Sequence, residues 1–140
     1  MEIVGLGTQV MDCARVRKMI DQHGEVFLKQ VYTDREVAYC NTKKQTTENY
    51  TALWAAKEAV FRSLGTTWKR GMNWSDVEVV HDNGAPPRVV VVGPTAELVA
   101  ARGVSLIMLS TAFTREFATA TAVATRASIS RPAEDTALDD

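Results

Sequence analysis

The chain has 140 residues, 46% hydrophobic and 24% charged, with a net charge of −1. That length suits one compact domain with a core of its own. The near-neutral charge gives no global attraction to nucleic acid or to a membrane, so neither is expected as a partner, and any charged partner must meet a local patch. Cys13 and Cys40 match no metal or redox spacing, and His23 and His81 are isolated, so no zinc site is expected. The opening Met1-Glu-Ile-Val-Gly lacks the charged and apolar blocks of a leader. No apolar stretch approaches the roughly 20 residues of a spanning helix. The expectation is a reduced, cytoplasmic protein.

Ile3, Val4 and Leu6, interrupted by Gly5 and Gly7, predict a first strand that lets another backbone approach closely. Asp12 can cap a helix whose Val16, Met19 and Ile20 share a face and which stops at Gly24. Arg15, Arg17 and Lys18 lie on its opposite face. Val26, Phe27, Leu28 and Val31 continue an amphipathic segment. Thr33 with Glu36 is a capping box for a helix to about Cys40, and the polar residues 41–48 read as a loop.

From Glu48 to Leu64, apolar residues recur at helical spacing (Tyr50, Leu53, Trp54, Val60, Phe61), and Gly65 stops the run. Lys57 and Glu58 sit inside that stripe, where a charge is costly unless paired or bound. The second half reads as strands. Val77–Val80, the Asp82-Asn83-Gly84 turn and Val89–Val92 are followed by a short helix from Pro94 to Ala101. Val104–Ser110 and Glu116–Thr125 are two more strands, and residues 126–140 read as a disordered tail. The order is that of an α+β domain at residues 1–125.

Several segments, taken together and in order, carry a resemblance. Gly5-Leu-Gly-Thr-Gln-Val-Met-Asp12 is similar to the Gly-Ile-Gly-Thr-Asp-Ile-Val-Glu opening of the holo-acyl-carrier-protein synthases. His23-Gly-Glu-Val-Phe-Leu, Tyr32–Cys40, Trp54-Ala-Ala-Lys-Glu-Ala-Val60 and Gly84-Ala-Pro86 match that family's later segments. Gly65-Thr66, Gly71, Trp74 and Asp76-Val-Glu-Val follow at its spacing.

The resemblance implies the phosphopantetheinyl transferase fold, a curved antiparallel sheet on the long helix. It implies transfer of 4′-phosphopantetheine from coenzyme A to an acyl carrier protein serine, with Mg2+ on the pyrophosphate. By the same resemblance, Glu58 is a metal ligand and catalytic, Lys57 its catalytic neighbour, and Gln9 stands in the second ligand position. Arg62, Gly65, Asn83 and Pro86 fall at coenzyme A positions, and Arg15, Arg17, Lys18 and Met19 at the carrier-protein surface. Without the resemblance, Glu58 and Arg62 would read as an i, i+4 surface pair worth about 0.3–0.5 kcal/mol.

A homotrimer is also implied, with each coenzyme A site between two subunits. Ile107, Met108 and Leu109 then form intersubunit core, or else a central strand covered within one subunit. Three positions depart from the family pattern. Gln9 replaces a carboxylate, Leu53 an arginine, and Phe113, ending Ser110-Thr-Ala-Phe113, a histidine whose charge Arg115 could supply. Two readings follow, an active transferase or an impaired homologue that binds coenzyme A or carrier protein without transfer. A water on the cation and a carboxylate such as Glu36 both stand open as the general base.

Overall fold

The computed structural model describes residues 1–69 and 72–128. Strand β1 (Glu2–Asp12) leads into helices α1 (Cys13–His23), α2 (Glu25–Val31) and α3 (Asp34–Asn41), then the long helix α4 (Thr46–Ser63). A 3-10 turn, Trp74–Asp76, opens the hairpin β2 (Val77–Val80) and β3 (Arg88–Val91). Helix α5 (Gly93–Ala101) and strands β4 (Leu106–Phe113) and β5 (Phe117–Arg126) follow, the last elements among the described residues.

Local chemistry accounts for the helix ends. The Asp12 carboxylate accepts from the Ala14 N–H at 2.8 Å, and the Gly24 N–H closes α1 on the Ile20 carbonyl. Thr33 and Glu36 form the expected capping box, each side chain accepting from the other's backbone N–H, at 3.2 and 2.9 Å. Helix α4 begins at Thr46, two residues earlier than expected, so the loop before it is correspondingly shorter.

Among the described residues, strands β1, β5 and β4 form an antiparallel sheet in that order, and β2 and β3 pair only with each other. The single sheet expected from the sequence is therefore two. Strand β1 is longer than the apolar run suggested because β5 pairs it from Glu2 to Asp12, across the glycines. Strand β5 reaches Arg126, one residue past the expected boundary, and residues 129–140 of the expected tail lie outside those described.

The core lies between α4 and the inner face of the three-stranded sheet. Ala118, Ala120, Ala122 and Ala124 of β5 are buried against α4, which answers with its own Ala52, Ala55, Ala56 and Ala59. Small residues on both surfaces let helix and sheet approach closely. Aromatic contacts fill the wider end, with Phe27, Trp54, Phe61 and Trp74 meeting edge to face at 5.3–6.0 Å between ring centroids. Trp54 and Trp74 pack within this cluster, whereas Trp68 lies 42% exposed and stacked on Trp74.

The outer face of the sheet carries Leu6 and Val10, each 62% exposed, with Met108 beside Val123 in the register. Among the described residues strand β4 is an edge strand, with Leu109 inward and Met108 outward, and not a central strand covered on both sides. Among the described residues no helix is long and apolar enough to cross a membrane.

Candidate active site

Two glycines position the site. A Cβ on Gly7 would stand 2.0 Å from the Ala59 carbonyl oxygen, and one on Gly5 would stand 1.9 Å from that of Ser63. Strand β1 therefore lies directly on the backbone of α4, as the interrupted apolar run predicted. Beyond Gly7, the Thr8 carbonyl accepts from Arg62 Nη1 at 3.1 Å. The same guanidinium meets Glu58 Oε1 through Nε at 3.4 Å, one turn back along α4. Arg62 thus bridges helix and strand, between the Glu58 carboxylate and the peptide that leads to Gln9.

The Glu58 side chain is 12% exposed and Gln9 is half-buried. The Gln9 amide oxygen accepts from the Val10 N–H at 3.1 Å. Among the described residues, no three His, Cys, Asp or Glu side chains gather as a metal cage. A small hard cation does not require one, since it takes one or two carboxylates and fills its other positions with water and phosphate oxygens. Glu58, with the Gln9 amide and the Thr8 carbonyl as neutral oxygen donors, fits that chemistry.

Lys57 lies elsewhere. Its ammonium is fully buried, 2.7 Å from Glu36 Oε1, and donates to the Trp74 and Val77 carbonyls. Burial lowers its pKa, and the Glu36 charge opposes that shift. Glu36 is equally buried and accepts from the Thr33 and Val79 N–H groups at 2.9 and 2.8 Å. The expected catalytic role of Lys57 is therefore corrected, because every proton it offers is used inside the core. Glu36 as general base is corrected on the same ground. Helical geometry separates the neighbours, since residues i and i+1 point about 100° apart and only one can face inward.

The remaining expected residues fall in three places. Gly65, at φ +77°, ends α4, and the Arg102 guanidinium packs over it while donating to the Leu64 carbonyl. Asn83 and Pro86 occupy the exposed β2–β3 turn, and Pro86 borders a groove of about 410 Å3 with Leu106–Leu109 of β4. Arg15, Arg17 and Lys18 are exposed on α1; Arg15 lies 6.0 Å from the Trp54 ring, and Arg17 is 3.9 Å from Glu48. Met19 is half-buried and packs against the core.

The departures also have physical explanations. Leu53 is 2% exposed, an apolar contact in the core. Phe113 lines a cleft of about 400 Å3 with Lys44, Glu48 and Arg115, which brings two cations to its side. Sequence reading missed Arg102 and the Thr8 carbonyl. No motif signals a backbone acceptor, and Arg102 comes from a helix end 38 positions beyond Leu64. Cys13 and Cys40 are buried and unpaired, and burial pushes the Cys40 thiol up to about 12, which suits inert core residues.

The sequence model of the 4′-phosphopantetheinyl transferase superfamily matches residues 5–122. The chain belongs to that superfamily. Holo-[acyl-carrier-protein] synthase of Rhodopirellula baltica is 37% identical over 110 residues, covering 79% of this chain and 87% of the relative. The synthase of Chlamydia trachomatis is 37% identical over 120 residues, 86% of this chain and 98% of its own. A Bacillus anthracis holo-(acyl-carrier-protein) synthase solved in complex with CoA (3′,5′-ADP) superposes with TM-score 0.73 at 26% identity, covering 91% of this chain and all of that one. The synthase from Neisseria meningitidis, 21% identical, shares the fold with TM-score 0.80, over 89% of this chain and 99% of its own. The phosphopantetheinyl transferase core thus spans both β1 and α4, the two elements that bring Glu58, Arg62 and the Thr8–Gln9 peptide together.

Proposed function

We propose that this phosphopantetheinyl transferase moves 4′-phosphopantetheine from coenzyme A to a serine of an apo-acyl carrier protein, with Mg2+ as cofactor. The carrying observation is Glu58, a largely buried carboxylate on the one helix surface that β1 approaches backbone to backbone. Bound to Glu58 and Gln9, the cation would neutralise diphosphate charge as the leaving group departs. The serine oxygen forms the new bond to the β-phosphorus as its proton passes to solvent water. The bond from that phosphorus to the bridging oxygen breaks, and 3′,5′-ADP leaves.

Arg62 would meet diphosphate oxygens bidentately, and Gly65 lets the Arg102 guanidinium pack at the end of α4, where it adds positive charge for the nucleotide. Arg115 and Lys44 supply positive charge where the family pattern has a histidine. Lys57 acts only through the core, by fixing the face that α4 turns to the cleft. The exposed Arg15, Arg17 and Lys18, with Met19, form the proposed carrier-protein surface, suited to an acidic helix.

The assembly proposed is a homotrimer in the cytoplasm. Its support is the outward face of the sheet, where Leu6, Val10 and Met108 lie uncovered in one chain. Asn83 and Pro86 then serve a nucleotide shared with the neighbouring subunit. Val10→Asp should shift the mass in solution from about three chains to one; an unchanged mass would remove this face from the assembly.

The test of function is direct. Incubation with apo-carrier protein, coenzyme A and Mg2+ should add one phosphopantetheine to the carrier protein, read by mass spectrometry. Glu58→Gln should lower the rate by at least about 100-fold with the fold intact. No mass gain with wild-type protein across carrier proteins and metals would overturn the reading.

A further inference from the structure

We infer that Arg62 is the resident cation of the cleft, and that the divalent cation enters only together with the diphosphate that displaces Arg62 from Glu58. The inference rests on the transferase reading and concerns how the same site is loaded.

The charges around the cleft carry it. Glu58 contributes one negative charge, largely buried, and Arg62 answers it at 3.4 Å. A second hydrogen bond, from Arg62 Nη1 to the Thr8 carbonyl at 3.1 Å, ties that guanidinium to the strand as well as the helix. The group also lies over an acceptor that a metal could use. Gln9 brings an amide and no charge, and its oxygen is turned to the Val10 N–H. Lys57 and Glu36 cancel each other inside the core and lend the cleft nothing. Arg102, beside Gly65, adds positive charge at the end of α4. The cleft is neutral at Glu58 and positive beyond it.

Such a site repels a free divalent ion and attracts a diphosphate. Once a diphosphate is present, Arg62 has stronger, bidentate partners in its oxygens than it has in Glu58. Glu58 is then released, and the incoming charge offsets what a second carboxylate would have supplied. Binding of metal and nucleotide should therefore be strongly coupled, and the coupling must be reciprocal. Gln9 and Arg62 together set that order of loading.

The experiment titrates Mn2+ into the full chain, reading free ion by electron paramagnetic resonance, with and without coenzyme A. A matched titration of coenzyme A alone is subtracted. Wild-type protein should show no saturable Mn2+ binding below about 1 mM without coenzyme A, and at least about tenfold tighter binding with it. Calorimetry should find coenzyme A affinity raised by the same factor when Mn2+ is present. Gln9→Asp adds a charge and Arg62→Met removes the competitor, so each should strengthen Mn2+ binding about tenfold in the absence of coenzyme A. Circular dichroism confirms that both variants are folded.

Equal Mn2+ affinity with and without coenzyme A would overturn the inference and leave the transferase reading standing. So would an Arg62→Met protein that binds Mn2+ no better than wild type. A chain that binds no coenzyme A at any Mn2+ concentration would sink the transferase reading and this inference with it.

Discussion

Lys57→Met is expected to destabilise the protein by about 3–5 kcal/mol, because it leaves a fully buried Glu36 charge without its partner. For a domain of this size that lowers the thermal midpoint by roughly 10–15 °C. The pair joins three elements. Lys57 stands on α4, Glu36 on the first turn of α3, and the Val79 N–H of β2 completes the carboxylate's partners at 2.8 Å. The Trp74 and Val77 carbonyls, which take the other ammonium protons, belong to the turn that opens the hairpin and to the first residue of β2. Adding Glu36→Gln should recover at least half of the loss, since the amide oxygen still accepts a backbone N–H and no charge remains to desolvate. A single Lys57→Met variant within about 1 kcal/mol of wild type by thermal unfolding would show that the ion pair is not the joint described here.

Gly7→Ala is the second large effect. The added methyl would stand 2.0 Å from the Ala59 carbonyl oxygen and 2.6 Å from the Ser63 nitrogen, both backbone atoms of α4 that cannot rotate aside. The strand must retreat, which should cost about 3 kcal/mol. Retreat also separates Thr8 and Gln9 from Arg62, so transferase activity should fall by more than tenfold even below the unfolding temperature. Gly84→Ala is the contrast. It meets nothing within 4 Å, and its φ of +72° limits the cost to about 1 kcal/mol. Comparing the two by calorimetry separates close approach from backbone strain. Equal effects would discount the approach of β1 to α4.

Much of this architecture was legible because its causes are local. The Asp12 cap, the Thr33–Glu36 box and the stops at Gly24 and Gly65 are each written within four residues, and each appears in the fold. The glycines of β1 announced a close approach but not its partners, since Ala59 and Ser63 of α4 lie more than 50 residues away. The partner of Lys57 was hidden for the same reason. Periodicity placed Lys57 and Glu58 in one stripe, but only the fold brings Glu36 to Lys57 and leaves Glu58 to face the cleft. The two sheets looked like one because strand patterns do not say which strands pair. Of the candidate site, Glu58 and Arg62 lay on a single helix and were readable from sequence. The Thr8 carbonyl and Arg102 depend on tertiary placement and were not.

The strand that completes the cleft pairs with β5, the last strand among the described residues, Glu2 opposite Arg126 and Asp12 opposite Phe117. During synthesis β1 therefore emerges long before β5, the neighbour it pairs with. Until then the alanine surface of α4 has no lid, and the emerging chain offers an apolar flank to chaperones or to other nascent copies. Truncation within β5 should accordingly release a chain that holds its helices yet cannot seat Thr8 and Gln9, which makes the pairing of β5 the step that arms the enzyme.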